Sequence, residues 1–93
     1  MDRGFQPTKD VLYEDIGGEV VLLELATGVY FSLDAVGSRI WNLTIAGRTE
    51  DEIVADLTDV YEVSREQAAS DVARLLNELT EQGLLEHAQN HRA

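Results

Sequence analysis

The chain has 93 residues, 44% of them hydrophobic, with one Pro and no Cys. That describes one small globular domain and excludes disulfides, thiolate chemistry and sulfur-ligated zinc. Eighteen acidic against seven basic residues leave a net charge of −11. This argues against phosphate backbones and anionic membranes as partners and suits a basic or neutral one, although solubility alone explains such a charge equally well.

No apolar run approaches the ~20 residues of a membrane span. The opening "MDRGFQPTKD" is polar and lacks the apolar centre of a signal peptide. A cytoplasmic protein is the expectation, and the lack of Cys fits a reducing compartment.

Residues 1–8 read as a loose lead-in. Asp10–Asp15, "DVLYED", is a short β-prone run, and the paired Gly17 and Gly18 mark a turn. Glu19–Leu25, "EVVLLEL", reads as a strong strand. "ATG" reads as a three-residue loop with Gly28 in the left-handed position, and Val29–Leu33, "VYFSL", as the returning strand. Together these predict a three-stranded antiparallel meander.

Helices follow. Asp34 caps the first, "AVGSRIWNLTIA", and Gly47 ends it. Its apolar stripe is Val36, Ile40 and Leu43, with Trp41 beside it. "TEDE" at Thr49–Glu52 is a capping box, and Ile53, Val54, Leu57, Val60 and Tyr61 then recur at the spacing of a buried face. "SREQ" at Ser64–Gln67 reads as a second capping box. The last helix carries Ala68, Ala69, Val72, Leu75, Leu76 and Leu79 and ends at Gly83. The predicted fold class is α+β: a winged-helix-like domain over residues 1–86, with a three-stranded sheet followed by three helices. Residues 87–93 read as a flexible polar tail.

Catalysis has little to rest on. The histidines, His87 and His91, both fall in that tail. Their spacing suits a metal pair only in a helix, and a metal site needs more ligands held rigidly. The glycines form no phosphate-binding fingerprint, and no cofactor is expected. A helix-turn-helix invites a DNA reading. The third helix, however, sets Arg65 and Arg74 against Glu66, Asp71, Glu78 and Glu81, the wrong sign for a duplex.

The turn chemistry predicts a register. A type I turn with a bulge sets Leu25 opposite Val29, Leu23 opposite Phe31 and Val21 opposite Leu33, all on the core face. Leu22 and Tyr30 then form an outward patch. Val29, Phe31 and Leu33 bond inward, and the backbones of Tyr30 and Ser32 point away. That edge has no protective Lys or Pro, so either a helix covers it or it recruits a strand. The apolar arc of the third helix is wider than one packing face needs. It is either a central helix or the wall of a groove.

The strings "TGVYFSLDAVGSRIWNL", "GRTEDEIVADL" and "DVARLLNELTEQGLLE" resemble the PqqD-like family of precursor-peptide recognition domains. Most specific are Leu-Asp-x-x-Gly-x-x-Ile-Trp at Leu33–Trp41 and the Gly-Leu-Leu ending. The link "NLTIAGRT" is a residue longer than usual. The resemblance covers about Val11 to Glu86 and implies a non-catalytic domain. It also implies that a leader peptide adds beside the third strand and packs on the third helix. The implied site takes main-chain bonds from Tyr30 and Ser32, with Val29 and Phe31 shaping the floor. Val72, Leu75 and Leu79 offer apolar pockets, and Asp71 and Arg74 offer polar contacts. The chain looks most like the free-standing leader-binding proteins of lasso-peptide pathways, whose partner is a cysteine leader peptidase. The alternatives are a pyrroloquinoline-quinone chaperone serving a radical SAM enzyme, and a winged-helix regulator.

Overall fold

The computed structural model describes residues 4–88. Its elements are β1 (Phe5–Pro7), β2 (Val11–Ile16), β3 (Glu19–Glu24), β4 (Val29–Ser32), α1 (Ala35–Ile45), α2 (Glu50–Val60), α3 (Arg65–Glu81) and β5 (Leu85–His87). The meander β2-β3-β4 forms one antiparallel sheet, and three helices follow it, so the fold is α+β and winged-helix-like.

The caps form where the residue types dictate. The Asp34 carboxylate accepts the Gly37 amide at 2.8 Å and starts α1. Thr49 and Glu52 exchange both bonds of a capping box at α2. At α3 only half the box forms. Ser64 Oγ accepts the Gln67 amide, while the Gln67 side chain turns forward to Asp71 at 3.0 Å.

Two features depart from expectation. Residues 5–7, read as a lead-in, pair with residues 85–87 in a second, two-stranded sheet. Phe5 stacks on His87 at 4.6 Å and Gln6 donates to Glu86 at 2.8 Å. His87 is therefore a strand residue rather than part of a tail, and three-residue strands are too short to show a period. His91 lies outside the described residues.

The register of β3 is the second correction. The pairs are Glu24–Val29, Leu23–Tyr30, Leu22–Phe31 and Val21–Ser32. The loop holds four residues, Leu25–Gly28, closed by the Gly28 amide on the Glu24 carbonyl at 2.7 Å, with Gly28 at φ +76°. One extra loop residue turns the whole of β3 over. Val20 and Leu22 therefore face the helices and are buried, whereas Leu23 points outward with Tyr30. The expected outward pair of Leu22 and Tyr30 does not exist.

One core joins the sheet to all three helices. It contains Val20 and Leu22, Ile40 and Trp41 of α1, Ile53, Val54 and Leu57 of α2, Ala68, Val72, Leu76 and Leu79 of α3, and Leu84 and Leu85. Among the described residues no helix is long and apolar enough to cross a membrane.

Candidate functional site

β4 lies at one edge of the three-stranded sheet, with β3 on one side and, among the described residues, no strand on the other. The Leu33 amide donates to the Val20 carbonyl at 2.9 Å. That makes Val20 and Leu33 a bonded pair. Antiparallel alternation then makes Leu22–Phe31 and Glu24–Val29 bonded pairs too. The main-chain groups of Tyr30 and Ser32 project off the open edge. The outward polarity of β4 is thus as the turn chemistry implied, although its partners in β3 are one residue displaced.

Ser38 secures the end of this strand. Its hydroxyl accepts the Val20 amide at 2.7 Å and donates to the Leu33 carbonyl at 3.2 Å. A side chain from α1 thereby replaces the second bond of the Val20–Leu33 pair.

Beyond Ser32 the chain turns into α1, and a cavity of about 290 Å³ opens between the start of α1 and α3. Val36, Ile40 and Leu75 supply its apolar wall, and Asp34, Asp71 and Arg74 its polar rim. Gly37 leaves room for the capping Asp34 carboxylate and packs at ordinary distance against Leu75 of α3. A Cβ there would stand 3.2 Å from Asp34 Oδ1 and 3.6 Å from Leu75 Cδ2. On the rim, Arg74 Nη1 donates to Asp71 Oδ1 at 3.2 Å, so these two charges partner each other.

The residues singled out from the sequence separate into three groups. Val29, Tyr30 and Ser32 are exposed on or beside the open edge, and Phe31 is half-buried beneath it. Leu75, Asp71 and Arg74 line the cavity. Val72 and Leu79, at 1% and 4% exposure, sit in the core and offer no pocket. Asp34, Val36, Gly37 and Ile40 complete the cavity. Sequence reasoning assigned Asp34 to a cap and Val36 and Ile40 to a helix stripe, and took Gly37 only as part of the family string. The signal for them lay in the Leu-Asp-x-x-Gly string, which sets Gly37 one turn inside α1.

The groups with displaced titration lie outside this cavity. Arg39 of α1 donates through Nε and Nη2 to the Asp56 carboxylate of α2, the second bond at 3.1 Å. These bonds hold Asp56 below the usual carboxylate range and raise Arg39. Among the described residues no cluster of three His, Cys, Asp or Glu is placed to hold a metal ion.

The family model of PqqD, coenzyme PQQ synthesis protein D, matches residues 19–85. The chain belongs to the PqqD family. The matched stretch runs from β3 into β5 and takes in every element around the open edge. Two solved structures share the PqqD-like fold over nearly their whole length. TbiB1, solved in complex with the TbiA(beta) leader peptide, is 41% identical; the match covers 91% of this chain and 99% of that one, with a TM-score of 0.83. A lasso peptide synthetase B1, complexed with its leader peptide, is 26% identical over 89% and 98% of the two chains, with a TM-score of 0.85. No curated protein matches the sequence.

Proposed function

We propose that this chain is a non-catalytic recognition protein of a lasso-peptide pathway. It binds the leader segment of a ribosomally made precursor as an added strand on β4 and presents it to a maturation enzyme. The observation that carries this reading is the unpaired β4 edge beside an apolar cavity, in a fold whose two similar structures each hold a leader peptide. Tyr30 and Ser32 supply the main-chain bonds, which are indifferent to sequence, and the cavity selects a side chain. Leu75 and Val36 take an apolar group, and the Asp71–Arg74 rim meets a polar one. The maturation enzyme is a cysteine leader peptidase, and the encounter takes place in the cytoplasm.

The family's description names coenzyme PQQ synthesis, and the second reading is a chaperone that delivers a precursor peptide to a radical SAM enzyme. The sheet-edge mechanism is the same in both. A winged-helix regulator of DNA is disfavoured by the net negative charge of α3.

Calorimetric titration with the synthetic leader tests the mechanism. Ser32→Pro removes an outward amide while leaving the β3–β4 ladder intact. The variant is expected to keep its circular dichroism spectrum and lose leader binding. Unchanged affinity in a folded variant would sink strand addition at β4. Cleavage of the precursor by the purified chain alone would overturn the non-catalytic assignment.

A further inference from the structure

An antiparallel sheet with one face on the core normally turns polar side chains outward. Here the outward face is ordered in rows. Leu12 of β2 stands opposite Leu23 of β3, and Leu23 stands opposite Tyr30 of β4. This row is apolar from one edge of the sheet to the other. The next row, Glu14, Val21 and Ser32, is polar at both ends. Tyr30 is 68% exposed, and the apolar row lines part of a shallow depression of about 290 Å³.

The row ends at the edge where a strand would add, and this narrows its occupant. Tyr30 sends its backbone off the open edge and its ring to the outward face. Leu22–Phe31 is a bonded pair, which makes Leu23–Tyr30 a non-bonded one with its side chains close together. Neighbours across a ladder share a face. A strand added at β4 therefore sets one side chain directly beside the Tyr30 ring, on the face away from α3. Another of its side chains, two residues along, falls beside Ser32. The first extends the apolar row and the second extends the polar one. Side chains between them turn to the opposite face, toward the cavity at α3. A second copy of this chain fits the face poorly, because its outward Glu14 and Glu19 meet their equals in a chain at −11.

We propose that the Tyr30 ring, backed by Leu23, is a second subsite that selects an apolar side chain of the leader on the outward face. The inference rests on the leader-binding reading and deepens it. The leader is read on both faces of the added strand, not from the cavity alone. It carries an apolar residue opposite Tyr30, and the position opposite Ser32 is free to vary.

The test is a double-mutant cycle followed by calorimetric titration. Each residue of the synthetic leader is replaced by Ser in turn, and every peptide is titrated into wild type and into Tyr30→Ser. One leader position is expected to lose about two- to fivefold in affinity with wild type, the range of a cross-strand apolar pair, and nothing further with Tyr30→Ser. Positions two residues to either side of it are expected to tolerate Ser in both proteins. Tyr30→Phe is expected to bind as wild type does, which assigns the effect to the ring and not to its hydroxyl. The ring is mostly exposed, so Tyr30→Ser should keep the wild-type circular dichroism spectrum. Coupling of Tyr30 to no leader position would overturn the proposal. So would sedimentation showing a wild-type dimer that Tyr30→Ser dissolves, because the occupant would then be a second copy. Lost binding in Ser32→Pro without any coupling to Tyr30 would remove the second subsite and leave strand addition standing. Retained binding in a folded Ser32→Pro would remove both.

Discussion

The Ser38 hydroxyl accepts the buried Val20 amide at 2.7 Å and passes its own proton toward the Leu33 carbonyl. One residue of α1 thus completes the ladder between β3 and β4 at the point where β4 gives way to the helix. Ser38 is 1% exposed, so water cannot replace it. Ser38→Ala is expected to cost about 1–3 kcal/mol, the penalty for leaving a buried amide unpaired. Urea unfolding measures that loss. The Val20 amide should also exchange hydrogen faster, and leader affinity should fall because the end of the open edge frays. Undiminished protection of Val20 would show that the ladder closes without the hydroxyl.

The Arg39–Asp56 pair ties α1 to α2 and makes a stability contribution with a defined pH dependence. The bonds from Arg39 hold the folded Asp56 below its ordinary value of 3.8. The unfolded chain therefore takes up this proton first as pH falls. The contribution is fully present above 3.8 and is lost as pH drops from there through the folded value. Side-chain exposures of 40% and 27% keep it small, at most about 1 kcal/mol. Asp56→Asn is expected to be slightly less stable at neutral pH and to converge with wild type in acid. Denaturant midpoints across that range check both points, and a constant gap would assign the effect to packing instead.

The parts of this fold governed by local chemistry were readable from the chain. Asp34 and Thr49 cap helices because a short polar acceptor precedes an apolar period, and the structure places both bonds as that pattern requires. Gly28 takes the left-handed conformation that the hairpin demands. The register was harder, because a loop of three residues and a loop of four differ by one carbonyl. The run Val20–Leu23 is apolar on both faces and cannot correct the count. That same two-sided apolarity leaves Leu23 beside Tyr30 on the outward face. The pairing of residues 5–7 with 85–87 depends on contacts some eighty residues apart and leaves no local signal. On α3, periodicity places Val72, Leu75 and Leu79 on one arc. Burial then divides the arc, because α2 and β5 pack on α3 and one flank is left facing α1.

That division makes the final prediction. Leu79 is 4% exposed and packed within the core, whereas Leu75 is half-buried and lines the cavity beside Gly37. Leu79→Ala is expected to lose about 2–5 kcal/mol of stability by opening a hole in the core. The fraction that remains folded should bind leader normally. Leu75→Ala removes fewer buried contacts and should cost roughly 1 kcal/mol. It also takes away the apolar wall proposed to meet the peptide, so leader affinity should fall about tenfold. Titration calorimetry, corrected for the folded fraction at each temperature, separates the two effects. If Leu79→Ala weakened the folded protein's affinity and Leu75→Ala did not, the peptide would have to lie along the other flank of α3.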